Sequence, residues 1–405
     1  MIENTILWEA SYFSDSEGWV SLEALTITTD KLELSSSIYS LFAYGEWIFR
    51  GDPSLLEDKI IVEGRKLKFV FKTNTEDVTK YMSIFSFING PGVSATSMGE
   101  AYFCTLISPW YFSQYSKSLA YYGSISETIK SMITSEILGA FNNIFIDKTY
   151  DEMNAVHYRT KMTQGKFIES LKKQAIGKDN KAIFMFTTCE NSFYIKEYSE
   201  NIDTTITAIG LSHKDLPSYQ NQINTYPNKF VFMNALQLKF NKDKEDAWLE
   251  AGAGLSYVSA LQGRVKGISE EPLLPILSPN QTQAFAPLLK SKGAISKVYS
   301  DDSLLPYSHI FSETINMQSY SLMKAHVLDL FCLPQVFVIP GKFCHLHITK
   351  EDTNKESLFS RNFMIESVSH IFTGMKGSTT VSISSPGISY DDVEKVEGLL
   401  YSESE

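Results

Sequence analysis

Residues 163–198 read TQGKFIESLKKQAIGKDNKAIFMFTTCENSFYIKEY. In the first part Phe167, Ile168, Leu171 and Ala175 share one stripe at helical spacing, and Gly177 stands where a glycine ends a helix. From Ala182 the texture changes. AIFMFTT is a continuous apolar, β-prone run, Glu190-Asn191-Ser192 is a polar turn, and FYIKEY runs back. A helix feeding a buried strand, a tight turn and a second strand is expected.

Working outward, SISETIKSMITSEILGAF (124–141) predicts a helix from about 125 to 141. Ser124 or Ser126 is its N-cap, and Ile125, Ile129, Met132, Ile133 and Ile137 form its apolar face. Residues 110–204 thus read as a small α/β unit. Before it, short runs rich in Ile, Val, Thr, Phe and Tyr alternate with turn signals at Glu17-Gly18, Gly51-Asp52-Pro53 and Asn89-Gly90-Pro91-Gly92. In KLKFVFKT, Leu67, Phe69 and Phe71 share one face, and LEALTITT (22–29) alternates Leu22, Ala24, Thr26 and Thr28 with its other residues. Several short strands with short turns suggest a sandwich or small barrel.

Strand texture returns in TTITAIG (204–210) and KFVFMNALQLKF (229–240), where Asn234 interrupts the run. Residues 242–310 are rich in Gly and Pro yet too apolar for a free linker, and SETINMQSYSLMK (312–324) has the composition of a helix. Strands follow in AHVLDLF, VFVIPGKFCHLHI, NFMIESVSHIF and STTVSIS. Pro340-Gly341 predicts a turn pairing the Val336–Val338 segment with the residues after it. Phe363, Ile365 and Val368 break strict alternation, so a bulge is expected at Glu366 or Ser367. The fold class is α+β, mainly β, with two small β-barrel domains joined by an α/β unit. The divisions are 1–109 (first barrel), 110–204 (α/β), 205–241 with 311–385 (second barrel), 242–310 (loop-rich insertion) and 386–405 (acidic tail).

The chain of 405 residues is 43% hydrophobic and 20% charged, which excludes a disordered chain and favours several domains. Its formal charge of −11 leaves no cationic excess to neutralise a phosphate backbone, so nucleic acid is not its main ligand. Residues 391–405 hold six acids against Lys395. Cys104, Cys189, Cys332 and Cys344 are too scattered for a disulfide scaffold or paired zinc motif and read as reduced core thiols. The start carries acids where a signal peptide needs bases, and no apolar run reaches the length of a membrane helix, so synthesis in the cytoplasm without a membrane span is expected.

Candidate chemistry is sparse. His345 and His347 share a strand face as two metal ligands would, but the stronger reading is alternating polar positions on a half-exposed strand, and no HxxxH or CxxC lies nearby. Gly252-Ala253-Gly254 lacks the third glycine of a dinucleotide fingerprint, and Gly341-Lys342 lacks a P-loop lead-in. Glu270-Glu271 and Asp301-Asp302 are acid pairs in proline-rich loops, and Cys189 and Cys344 have no neighbouring base in sequence. The aromatic groups Trp110-Tyr111-Phe112, Tyr115, Tyr121-Tyr122, Phe42, Tyr44, Trp47 and Phe49 suit cores and subunit contacts better than ligand stacking. No catalytic, cofactor-binding or metal-binding residue is assigned.

Order and wording together resemble a family. LISPWYF closing a β-rich unit, SISETIKSMI and FIESLKKQAIGKDNKAIFMFTTCENSFYI are similar to the central segment of baseplate hub proteins of contractile-tailed bacteriophages. The features that carry the likeness are Phe167, Leu171, Phe184 and Phe186, then Pro340-Gly341, Phe363–Ile365, Val368, His370 and Thr380–Ile383. The last group resembles the family's second barrel. The resemblance implies a structural, non-enzymatic homotrimer in the virion tail baseplate, assembled in the host cytoplasm. It would join a six-fold tail tube to a three-fold spike or puncturing protein, in a phage or a related contractile injection system, without a cofactor. The rival is a soluble β-rich glycan or ester hydrolase with a loop-framed site using carboxylates or His345 and His347; a third possibility is an adhesin or binding module.

Overall fold

The structure is a computed structural model and describes residues 6–22, 27–51, 54–73, 75–91, 100–150, 156–177, 182–198, 206–210, 229–240, 256–259, 264–267, 297–298, 326–347 and 361–385. In chain order the first elements are β1 (Leu7–Ser14), β2 (Gly18–Ser21), β3 (Thr28–Ser37), β4 (Tyr44–Gly51), α1 (Ser54–Glu57), β5 (Lys66–Lys72), β6 (Val78–Pro91) and β7 (Glu100–Ile107). A 3-10 turn at Pro109–Ser113 leads to β8 (Lys117–Tyr122), α2 (Ile125–Glu136), β9 (Asn143–Ile146), β10 (Val156–Met162), α3 (Gln164–Lys172), β11 (Ile183–Thr187) and β12 (Ser192–Glu197). Then come β13 (Ile206–Gly210), β14 (Lys229–Phe240), β15 (Ser256–Ser259), β16 (Arg264–Gly267), β17 (Lys297–Val298), β18 (His326–Cys332), β19 (Phe343–His347), β20 (Arg361–Thr373) and β21 (Lys376–Ser385).

The fold is mainly β. In place of two separate barrels, one continuous 13-stranded sheet runs β19-β13-β14-β18-β21-β20-β3-β4-β7-β6-β5-β1-β2. The weld is β20, whose edge opposite β21 pairs first with β19 through Arg361–Met364 and then with β3 through Ser367–Phe372. The register shift expected near Glu366 lies between Ile365 and Ser367, at the changeover. On the late-sequence side the pairings β13–β14–β18–β21–β20–β19–β13 form a circuit around Leu330, Leu346, Phe363, Ile365 and Val381. On the early side no strand pairing closes the sheet among the described residues. It still curls back on itself, since Ile6 N–H donates to Met375 O at 2.8 Å and Trp8 Nε1 to Gly374 O at 2.9 Å. That curl encloses Trp47, Phe49, Leu67, Phe69, Phe71 and Tyr102, all 0% exposed.

Between the two lies the α/β unit, a three-stranded sheet β11-β12-β9 and a ribbon β10-β8, with α2 and α3 packed on Phe193, Ile195, Ile183 and Met185. The N-cap of α2 is Ser124, in a full capping box with Glu127. Both helices are shorter than expected. The first stops at Glu136 because Ile137 leaves helical geometry and Gly139 turns at φ +81°. The second, capped by Thr163, ends at Lys172. Gly177 therefore does not terminate it; a Cβ there would lie 2.7 Å from Glu197 Cγ, so its role is close approach to β12.

Pro340-Gly341 is a turn with Gly341 at φ +80°, but Val336 and Val338 are buried loop residues and no strand pairs back across it. The turn is held instead by Gly341 N–H to Ile365 O and Ile365 N–H to Lys342 O, both 2.8 Å, which satisfies the backbone of the bulged strand β20. The expected helix at 312–324, the acidic tail, residues 23–26 of the LEALTITT run and most of 242–310 lie outside the described residues; within 242–310, β15, β16 and β17 form a small sheet.

Two predictions follow from the core. A Cβ on Gly341 would meet Phe186 Cζ at 2.5 Å, so Gly341→Val should cost about 3 kcal/mol from positive φ and overpacking together, read as a lower urea midpoint with unchanged slope. The four cysteines are buried free thiols, and burial pushes Cys104, Cys189 and Cys344 from 9.0 up to about 12. Thiols that ionise only in the unfolded chain draw stability away as pH rises from 9 toward 12. Each should therefore cost on the order of 1 kcal/mol by pH 10, and Cys344→Ala should flatten the loss between pH 8 and 10 by a similar amount.

Candidate functional site

Those residues singled out in sequence that the structure describes do not converge. His345 is half-buried on β19 with Nδ1 2.9 Å from Asn362 Oδ1, and the side chain of His347 lies outside the described residues, as do Glu270, Glu271, Asp301, Asp302, Gly252 and Gly254. Gly341-Lys342 is the structural turn described above. Cys189 and Cys344 are buried with thiols held neutral, which removes the nucleophile at ordinary pH. Among the described residues no three His, Cys, Asp or Glu side chains come together to hold a metal ion. No described helix is long and apolar enough to cross a membrane.

What the fold does assemble is a set of buried charges where the units meet. On β6, Lys80 is in phase with Met82 and Ile84 and is 1% exposed. Its ammonium donates to Glu190 in the β11–β12 turn, and beside it Tyr81 N–H donates to Cys189 O at 2.7 Å. On α3, Lys172 reaches out of the helix to Ile38 O and Tyr39 O at 3.2 Å and to Met185 O at 3.4 Å. Burial lowers its pKa from 10.5 to about 8. Trp110 stacks on Phe42 at 4.5 Å and donates Nε1 to Thr187 Oγ1 at 3.1 Å. These contacts tie the α/β unit to β6 and the loop after β3.

A second buried set sits inside the unit. Arg159 on β10 is fully buried; it pairs with Glu136 and donates Nε to Met162 O at 2.8 Å and Nη2 to Tyr115 O at 2.7 Å. Glu136 also accepts from Tyr121 OH and, at 2.9 Å, from Gln164 Nε2. Burial works against its charge, but the bonds from Tyr121 and Arg159 outweigh it and hold the carboxyl below its usual range. The network clamps the β8–β10 ribbon onto α2 and α3.

Lys80, Lys172 and Glu136 share a sequence signal that pattern reading passed over. Each is a charged residue in phase with an apolar stripe: Lys80 with Met82 and Ile84, Lys172 with Ile168, Glu136 with Ile129 and Met132. Such a residue must be buried with a partner or break the face.

The surface carries apolar faces of the kind used for protein contacts. Outward on β4, β6 and β7 lie Tyr44, Phe85, Ile88 and Phe103, with Ile88 paired across to Phe103 and a cleft of about 580 Å³ beside Phe85. On the ribbon Tyr122, Val156 and Tyr158 are exposed, and on β9 Ile144 and Phe145.

No protein-family model and no curated protein matches the chain. Solved structures do. A tail protein from Neisseria meningitidis MC58 superposes with a TM-score of 0.53 at 8% identity, covering 95% of this chain and 98% of the other. This chain shares the fold of that tail protein. The 43 kDa tail protein of prophage MuSo2 from Shewanella oneidensis is similar at TM-score 0.51 and 9% identity, over 94% and 97% of the two chains. A chain of a lidless PdpA–VgrG complex matches at TM-score 0.50 and 10% identity over 94% of this chain and 65% of its own.

The Lys80–Glu190 pair gives a direct test. Glu190→Gln strands a buried ammonium and should cost about 3 kcal/mol, discounted from larger values because Glu190 is partly exposed. The double variant with Lys80→Met should recover at least half of that in urea unfolding; additive losses would show that the two are not coupled.

Proposed function

We propose that the chain is the structural hub of a contractile tail baseplate or a related injection apparatus. The observation that supports this most is the likeness to tail proteins over nearly the whole of both chains, at 95% and 98% coverage. It is supported also by the sequence resemblance to baseplate hubs and by a fold that invests in rigid junctions and exposed apolar faces. In this reading residues 1–109 and 205–241 with 311–385 act as two similar β units joined by the α/β unit 110–204. Three copies then present six similar units to a six-fold tube above and a three-fold spike or puncturing protein below. The work is mechanical: symmetry adaptation and anchoring in the virion tail, with buried contact area as the relevant energy.

A ring of one chain closes through a repeated head-to-tail contact, which needs two different surfaces on each copy. The outer face of β4, β6 and β7 and the ribbon face around Tyr122 and Tyr158 are two such surfaces. A stable contact of this kind should bury roughly 2,000 Å² or more. Cross-linking and mass measurement on purified tails should give three copies about the axis; six copies, or absence from the particle, would overturn the reading.

A further inference from the structure

A cleft of about 500 Å³ opens where the large sheet faces the turn after α2. One wall is the sheet, with Trp19 of β2, Lys66 of β5 and Tyr81 of β6; the other carries Leu138, Gly139 and Asn191. The sheet wall is cationic. Lys66 Nζ lies over the Phe13 ring at 5.8 Å, and beside it Lys68 Nζ lies over the Trp19 ring at 5.1 Å. A ring face holds an ammonium in place without neutralising it. Neither lysine makes a salt bridge within 4.0 Å among the described residues. The one carboxylate on the lining, Glu136, is compensated by Arg159. Asp15, Glu17 and Glu63, the acids closest in sequence to this wall, stand exposed on turns off the lining. In a chain of net charge −11, a cleft whose uncompensated charge is positive selects for an anion.

The opposite wall adds a second, independent demand. Asn191 is 6% exposed; its Nδ2 donates to Ala140 O at 2.9 Å, while its Oδ1 is buried and finds no donor among the described residues. A buried acceptor left in this way calls for a donor from outside the fold. At the rim Leu138 is 78% exposed, an aliphatic surface. The occupant must therefore bring negative charge, a hydrogen-bond donor and an apolar group within a few ångströms of one another. An acidic peptide has all three in adjacent residues. An acidic glycan has the first two, but the Trp19 ring on which a sugar would stack is packed by Phe13 at 5.3 Å and Tyr81 at 5.9 Å and overlaid by Lys68. We propose that this cleft receives an acidic segment of a partner protein, with carboxylates on Lys66 and Lys68, a main-chain N–H on Asn191 Oδ1 and an apolar side chain against Leu138. The inference stands apart from the copy number of the chain.

The probe is an array of blocked hexapeptides carrying none to three acids, with and without a neighbouring leucine, read with the labelled full-length chain. Peptides with two acids beside a leucine should bind at least about tenfold more tightly than their Asn/Gln counterparts. Lys66→Glu with Lys68→Glu should abolish that preference. Lys117→Glu with Lys130→Glu, an equal reversal at exposed lysines off the lining, should leave it intact. Should the first reversal unfold the chain, Lys66→Gln with Lys68→Gln reads the same loss on a milder change. Binding indifferent to the acids, or weakened equally by both reversals, would overturn the proposal. So would capture of a uronate oligosaccharide in preference to every peptide.

Discussion

Strand β20 joins the two halves of one sheet, and the bulge at Glu366 is what allows it. A strand in strict register presents one edge to one neighbour. With an extra residue between Ile365 and Ser367, β20 bends and hands its edge from β19 to β3 while β21 follows it along the other side. The changeover is held from both directions. Glu366 O accepts from Ile38 N–H at 2.9 Å and its carboxylate from Tyr39 OH at 2.5 Å, while Gly341 and Lys342 bond Ile365. A linker between two barrels would permit swivelling; a shared strand does not. Stiffness at this junction is the property the shared strand supplies.

The junction with the α/β unit follows the same logic with charges. Burying Lys80, Lys172 and Arg159 costs desolvation that well-packed apolar residues would avoid, so these groups are poor sources of net stability. Their effect is geometric, since each is satisfied only when a particular segment is in place: at the junction Glu190 for Lys80 and the carbonyls of Ile38 and Tyr39 for Lys172, and within the unit Glu136 at the end of α2 for Arg159. Shifts of the unit against the sheet leave a buried cation unpaired, so the arrangement is narrow rather than deep.

Local features were legible in the sequence because local residues decide them. The Ser124 cap needs only Glu127, the φ of Gly341 needs only the Pro-Gly pair, and the bulge shows as broken alternation between Ile365 and Val368. The fusion of the two halves was not legible, since Ser37 and Ser367 pair across most of the chain and nothing near either announces the other. Helix ends were overrun because Ile137 and Ala175 continue the apolar spacing in chain that has already left the helix. The buried cations were visible in principle as charges in phase with apolar stripes. The candidate chemical residues, by contrast, were picked by type alone, and type does not say which side chains meet in space.

The claim that the two halves form one body through β20 is tested most directly by native-state amide exchange in increasing urea. On this account the amides of β3 and β20 that pair at Ser35–Ser37 and Ser367–Ser369 exchange only through the same opening as those of β7 on one side and β18 on the other, with a single common urea dependence. Two separate isotherms, with the β4–β7 strands opening while β18, β20 and β21 stay protected, would contradict it.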